Sequence, residues 1–62
     1  MDLSQYDGKG VKVTLDNGDV FMGVCEKSGA DFNFCEYGED EDSLDIGGWK
    51  LYEGQIVSVE LL

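Results

Sequence analysis

Nearly all of the residues that could carry out chemistry in this sequence are carboxylates. Fourteen aspartates and glutamates stand against four lysines among 62 residues, with no arginine and no histidine, so the formal net charge is −10. The chain therefore lacks an imidazole base, and it has none of the spacings typical of serine-hydrolase, phosphate-loop or zinc-protease motifs. Carboxylates as abundant as these do not by themselves indicate acid–base catalysis. We predict a protein that is not an enzyme and that carries no cofactor.

The densest acidic segment is "GEDEDSLD", residues 38–45. Its like charges repel one another, which predicts an exposed loop. Asp40, Asp42 and Asp45 are weak candidates for a divalent-cation site, because such ions prefer carboxylate oxygens. The segment lacks the ligand spacing and the final glutamate of an EF-hand loop. A solvated loop is therefore the main prediction, and a cation site is the alternative.

The two cysteines, Cys25 and Cys35, belong to no Cys-x-x-Cys pair and to no Cys/His set, which argues against a metal-thiolate site. If residues 20–28 and 32–37 formed a hairpin with a three-residue turn, the two thiols would lie opposite each other. A two-residue turn would not place them so. The glutamate that follows each cysteine disfavours the thiolate. We predict two reduced, half-buried side chains.

The charge also bears on partners and location. A net charge of −10 repels nucleic acid and anionic membrane surfaces, and it favours solubility. The sequence has no apolar run of about twenty residues and no basic segment followed by an apolar one at its start. We therefore expect no membrane span, no signal peptide and a cytoplasmic location.

The apolar pattern predicts one domain over residues 1–62 that is built mainly from strands. Asp2 is suited to cap a short helix at the start of the chain. The segment "VKVTLDNG" then alternates apolar and polar residues and ends in Asn17-Gly18, a strong hairpin signal. The first two elements after the helix are therefore expected to be a strand and its antiparallel neighbour.

Four strands follow the first one, beginning with its antiparallel neighbour. They are predicted at residues 20–28, 32–37, 44–52 and 55–62. Gly23 stands inside an otherwise apolar segment and indicates a sharply bent strand that serves two sheets. Five short strands, glycine-rich turns and almost no helix predict an all-β fold, a small SH3-like five-stranded antiparallel barrel with a short N-terminal helix.

The order of these signals resembles the Sm-like (LSm) domain family over nearly the whole chain. In "VKVTLDNGDVFMGV", Gly18, Phe21 and Gly23 stand at the spacing of the family's first motif. Asn33, preceded by Phe32, follows as that motif requires. The resemblance implies an Sm-like barrel with its characteristic strongly bent strands.

The family's second motif is matched in part by "YEGQI", in which Gly54 provides the bend and Glu53 stands where the family has arginine. Family members usually assemble as rings, the fourth strand of one subunit pairing with the fifth of the next, and many bind single-stranded RNA at the pore. The resemblance implies nucleic-acid contacts from Phe32, Asn33, Glu53, Gly54 and Gln55. A carboxylate cannot stack as a guanidinium does and repels phosphate, so charge disfavours RNA binding.

These observations predict a non-enzymatic Sm-like binding or assembly module, a ring-type homo-oligomer joined through edge strands. The predicted interface residues are apolar and lie in the last two strands: Trp49, Leu51, Ile56, Val57, Val59 and Leu61. One alternative is weak binding of single-stranded RNA at the ring pore. A second is an acidic adaptor, or nucleic-acid mimic, that docks on a basic protein partner.

Overall fold

The computed structural model describes residues 2–62. Within them it contains six β-strands, one α-helix and two short 3-10 helices. In chain order these are the 3-10 helix Leu3–Tyr6, β1 (Gly10–Leu15), β2 (Val20–Val24), β3 (Glu26–Ser28), α1 (Ala30–Tyr37), β4 (Ser43–Ile46), β5 (Trp49–Tyr52), the 3-10 helix Glu53–Gln55 and β6 (Ile56–Leu61). In this part of the chain no helix is long and apolar enough to cross a membrane.

The first sheet has three antiparallel strands in the order β2-β1-β6. The predicted Asn-Gly turn joins β1 to β2, so that Val13 of the central strand pairs with Phe21 on one side and with Val59 on the other. Alternation along β1 buries Val11, Val13 and Leu15. The structure confirms the predicted strand, turn and strand.

The second sheet has the order β3-β4-β5, also antiparallel. Gly47-Gly48 joins β4 to β5 in a two-residue turn with φ angles of 54° and 87°, which residues other than glycine rarely adopt. The strand predicted over residues 44–52 is therefore two strands, because this turn reverses the chain. The loop predicted over residues 38–45 is shorter than expected, since the chain is buried from Ser43 onward in β4.

The chain passes from the first sheet to the second at Cys25, between β2 and β3. Gly23 lies two residues earlier with a φ of 147°, and a Cβ there would be 3.2 Å from Ile46 Cγ2 of β4. Residues other than glycine rarely adopt this φ, and a side chain here would also press against Ile46. One bent strand serving two sheets was predicted around Gly23; the segment does pass between both sheets, but it does so as two strands, β2 and β3, and the sheets form no barrel.

The third predicted strand, residues 32–37, is helical and belongs to α1. Phe32 and Phe34 alternate with smaller residues as they would in a strand, yet both side chains are exposed. Asn33 is the buried residue of the segment. The alternation therefore predicted the wrong secondary structure.

Contacts at both ends stabilise α1. Gly38 adopts the left-handed conformation, with a φ of 76°, and its N–H donates to Phe34 O at 3.0 Å, which ends the helix. At the other end Ala30 N donates to the Asp42 carboxylate at 2.7 Å. A carboxylate at a helix N-terminus satisfies a backbone donor that has no partner within the helix.

Two separate three-stranded sheets and a helix replace the predicted five-stranded barrel. The six strands within residues 2–62 do not close on one another. The difference arises because α1 takes the place of the third strand and because the Gly47-Gly48 turn divides the fourth. The predicted all-β, SH3-like class is therefore wrong, and the chain has a small mixed α/β fold.

Residues of both sheets and of the first 3-10 helix form one hydrophobic core. Its buried members are Leu3, Val11, Val13, Leu15, Cys25, Leu44, Ile46, Leu51 and Ile56. Asp2 accepts a hydrogen bond from Ser4 N at 3.0 Å and so caps the 3-10 helix that carries Leu3. Leu51 and Ile56 were predicted to lie in an oligomer interface. That assignment is wrong for both, since they are only 2% and 9% exposed inside the chain's own core.

Candidate functional site

A groove of about 510 Å³ lies where α1 meets one face of the β3-β4-β5 sheet. Its lining residues come from the helix and from all three strands: Glu26, Ser28, Phe32, Tyr37, Asp45, Gly48, Trp49, Lys50 and Tyr52. Glu26, Asp45 and Lys50 are neighbours across the three strands, so they share one face of the sheet. The groove therefore combines aromatic side chains, two carboxylates and one ammonium group.

Asp45 is the centre of a hydrogen-bonded network in this groove. Its carboxylate accepts from Ser28 Oγ at 2.6 Å and from Ser43 Oγ at 3.0 Å. Lys50 Nζ lies 3.0 and 3.1 Å from the two carboxylate oxygens. Hydrogen bonds to charged groups are the stronger class, and three donors hold this carboxylate in one position.

Aromatic rings lie around the Lys50 ammonium. Lys50 Nζ is 5.7 Å from the ring centre of Phe32 and 5.2 Å from that of Tyr37, within the range of cation–π attraction. The two rings contact each other edge to face at 6.5 Å between centres. Burial raises the pKa of the Tyr52 hydroxyl, which therefore stays neutral and can donate a hydrogen bond. The aromatic side chains of the groove are thus uncharged, and the Lys50 ammonium lies over two of them.

Asn33 has a structural position. It is fully buried, and its Nδ2 donates to Glu41 O at 2.7 Å and to Ser43 Oγ at 3.1 Å. Its Oδ1 is buried and accepts no hydrogen bond within residues 2–62. The amide therefore ties α1 to the segment that leads into β4. The resemblance implied a base contact for Asn33, but a nucleic acid cannot reach this side chain, whereas Phe32 is half exposed.

The turn that the resemblance implied for nucleic-acid contact is the 3-10 helix Glu53–Gln55, between β5 and β6. Gly54 N donates to Glu41 Oε1 at 2.8 Å. Glu53 N donates to Asp42 O at 2.9 Å. The turn is therefore bound to the acidic segment before β4, which is an unfavourable environment for a phosphate group.

The three candidate cation ligands lie in different environments. Asp42 caps α1 and lies 3.9 Å from Lys27 Nζ, while Asp45 is bound by Lys50 in the groove. Asp40 lines a separate, smaller pocket. Among residues 2–62 no group of three or more Asp, Glu, Cys or His side chains could hold a metal ion. The structure does not bring the three carboxylates together.

The two cysteines also lie in different environments. Cys25 is buried, and its S–H donates to Tyr6 O at 3.0 Å. Cys35 is exposed on α1, and both thiols are free. The hairpin that would set them opposite each other does not form, because Cys35 lies on a helix. Burial raises the pKa of the Cys25 thiol.

We expect iodoacetamide to alkylate Cys35 and to spare Cys25 in the folded protein. The thiolate is the reactive form, and Cys25 combines a raised pKa with a side chain that reagent cannot reach. Mass spectrometry of peptides after timed exposure measures each site, and urea should make both react. Equal alkylation of the two cysteines without urea would contradict the burial of Cys25 in the core.

Four strands lie at the ends of the two sheets, β2 and β6 in one and β3 and β5 in the other, and each has an outer side with which no strand of residues 2–62 pairs. Trp49 of β5 is 63% exposed, and its ring packs against Phe21 at 5.5 Å between centres. Val57 and Leu61 of β6 are about equally exposed, and Val59 packs partly against the core. All six predicted interface residues therefore lie in edge strands, and four of them, Trp49, Val57, Val59 and Leu61, are not among the buried core residues.

Sequence reasoning missed the groove as a unit. The Asp45–Lys50 pair could have been found, since the Gly47-Gly48 turn between the two residues is a hairpin signal that sets them opposite each other. Gly38 was a signal for the end of a helix. A helix ending there would place Tyr37 next to Asn33 and Phe34, which stand four and three residues earlier.

Comparison with protein-family models, with curated proteins and with solved structures finds no match to this chain. Its function must therefore be argued from its own geometry. Two features stand out in that geometry: the open edges of β5 and β6 with their exposed apolar side chains, and the aromatic, acidic groove.

Proposed function

We propose that this chain is a non-enzymatic assembly module whose copies associate through their strand edges, β5 of one copy pairing with β6 of the next. One observation carries the proposal: both strands end their sheets, and both display exposed apolar side chains. Open edges of this kind are templates for another strand. Pairing two different edges is a heterologous contact, which closes into a ring when the rotation permits. The Sm-like resemblance implies the same mode of assembly.

The direction of the backbone groups supports this use of β6. Leu62 N donates to Gly10 O at 3.0 Å, so this is a hydrogen-bonded position of the β1–β6 ladder. Bonded and non-bonded positions alternate in antiparallel pairs. Val59 and Leu61 therefore direct their backbone N–H and C=O groups away from β1, toward the open edge.

The size of the chain supports association as well. A domain of 62 residues buries a smaller share of its surface than a larger domain does, and within residues 2–62 both cysteines are free and no metal cluster forms. Burial of edges between copies would add to this core. The charge of −10 per copy opposes association, so added salt should strengthen it by screening the repulsion.

RNA binding and cellular location are two further questions about this chain. RNA binding has less support, because the Asn33 amide is used inside the fold and Glu41 occupies the Gly54 turn. We propose a cytoplasmic location, since a free and exposed thiol such as Cys35 persists in a reducing compartment.

Replacing Leu61 by proline should convert the oligomer to a 6.8 kDa monomer. Proline removes an N–H that points to the open edge and leaves the β1–β6 ladder intact, which is where strands tolerate it. Leu61→Thr is the matched control: it also shortens the side chain but keeps the N–H. Light scattering coupled to size exclusion measures the mass of both variants, and circular dichroism verifies their folding.

The proposal predicts an oligomeric Leu61→Thr variant beside a monomeric, folded Leu61→Pro variant. Equal masses for the two would contradict pairing through β6. Association through the outer face of the first sheet is the competing arrangement. It would be indicated if Met22→Lys, on an exposed position of β2, dissociated the oligomer and Leu61→Pro did not.

A further inference from the structure

The groove beside α1 has the chemistry of a cation-binding site. The faces of Phe32, Tyr37 and Tyr52 carry negative electrostatic potential, and two carboxylates, Glu26 and Asp45, lie among them. One cation already lies in the groove: the Lys50 ammonium is over two of the rings. A groove that binds one cation through rings and a carboxylate is suited to a second.

Glu26 is the carboxylate available to a ligand. Asp45 is neutralised by Lys50 and bound by two serine hydroxyls, whereas the Glu26 side chain makes no hydrogen bond or ion pair within residues 2–62. Two carboxylates against one ammonium leave the groove with one negative charge in excess. The rest of the chain adds to this field, since its net charge is −10.

We propose that this groove binds a lysine or arginine side chain from a basic segment of a partner protein. The cationic head would lie among the aromatic rings and pair with Glu26. The apolar part of the side chain would pack on the rings, as long basic side chains do on apolar surfaces. The charge of the chain favours such a partner over nucleic acid or an anionic membrane, and would accelerate the encounter. This binding does not depend on the proposed self-association, although Trp49 of β5 belongs to both surfaces.

Binding in the groove can be followed by tryptophan fluorescence. Trp49 is the one tryptophan of the sequence and lines the groove with most of its surface exposed. Its fluorescence should change when a short peptide of alternating glycine and arginine, or of glycine and lysine, is titrated at about 0.15 M salt. A glycine–glutamate peptide and a short oligo-uridine serve as probes of the opposite charge.

Two pairs of matched variants locate the binding. Glu26→Gln should weaken the basic peptide about three- to fivefold, while Glu36→Gln, the same change outside the groove, should alter it less than about twofold. Phe32→Leu should weaken it about two- to fivefold, while Phe34→Leu, on the same helix but lining another pocket, should not. Circular dichroism shows whether each variant is folded.

Saturable binding of both basic peptides with these two differences would establish the site. Equal losses from Glu26→Gln and Glu36→Gln would show that only the overall charge attracts the peptide, and would overturn the proposal. So would unchanged affinity after Phe32→Leu, binding of oligo-uridine in place of the basic peptides, or no binding at this salt concentration. A monomeric chain that still binds the peptides would refute the self-association alone, and an oligomer that binds none would refute the groove alone.

Discussion

Replacing Leu44 by alanine is expected to lower the free energy of unfolding by about 2–5 kcal/mol. Leu44 lies in β4, the central strand of its sheet, and has no exposed surface. The variant would leave a cavity between the two sheets. A single core in a chain this small seldom supplies more than about 3–5 kcal/mol. We therefore expect a largely unfolded variant at room temperature, measured by circular dichroism in a urea titration.

The matched control for this change is Leu62→Ala, which removes the same atoms from a side chain that is 74% exposed. It should change the free energy of unfolding by less than about 0.5 kcal/mol. Both titrations are run at equal protein concentration, because association makes stability depend on concentration. Equal losses of unfolding free energy in Leu44→Ala and Leu62→Ala would contradict the burial of Leu44 in the core.

Replacing Asn33 by aspartate is expected to cost about 3–5 kcal/mol of folding stability. The new oxygen would face Glu41 O, which now accepts the amide N–H at 2.7 Å, so a donor would become an acceptor. The charge would also be fully buried, as Asn33 is. Such a charge without a partner is among the most destabilising changes in a core. Thermal unfolding followed by circular dichroism measures the loss.

Asn17→Asp is the control, because it makes the same chemical change in an exposed turn. It loses one surface hydrogen bond to Asp19 and should cost about 1 kcal/mol or less. Asn33 was implied to contact a nucleic-acid base. If Asn33→Asp were as stable as Asn17→Asp, its side chain would be free at the surface, and the structural role assigned to it would be wrong.

The first hairpin could be predicted from sequence because its information is local. The Asn-Gly turn and the alternation from Val11 to Leu15 specify both the register and the buried face. The strand predicted over residues 55–62 is likewise present as β6. Burial follows a period of two along β1 and β2, whereas β6 does not alternate in this way.

The helix could not be predicted in this way, because part of what stabilises it is not local. The alternation of Phe32 and Phe34 suggested a strand, and the cap that Asp42 provides at Ala30 comes from a distant part of the sequence. Gly38 was the local signal for a helix end. Predicting a strand there produced the wrong fold class.

The groove depended on that helix. Two of its four aromatic side chains, Phe32 and Tyr37, come from α1, while Asp45 and Lys50 come from the two sides of the second hairpin. Placing α1 in the sheet would separate these groups. The edge strand β6 carries exposed apolar residues, Val57 and Leu61, that were named from the sequence. The core positions of Leu51 and Ile56 required the packing of both sheets.

The molar mass of the chain in solution tests the proposed self-association most directly. Light scattering coupled to size exclusion, at micromolar concentration and at two salt concentrations, gives that mass without a label. Pairing of β5 with β6 predicts a discrete multiple of 6.8 kDa that is favoured by the higher salt. A monomer of 6.8 kDa at both salt concentrations would contradict the proposed assembly.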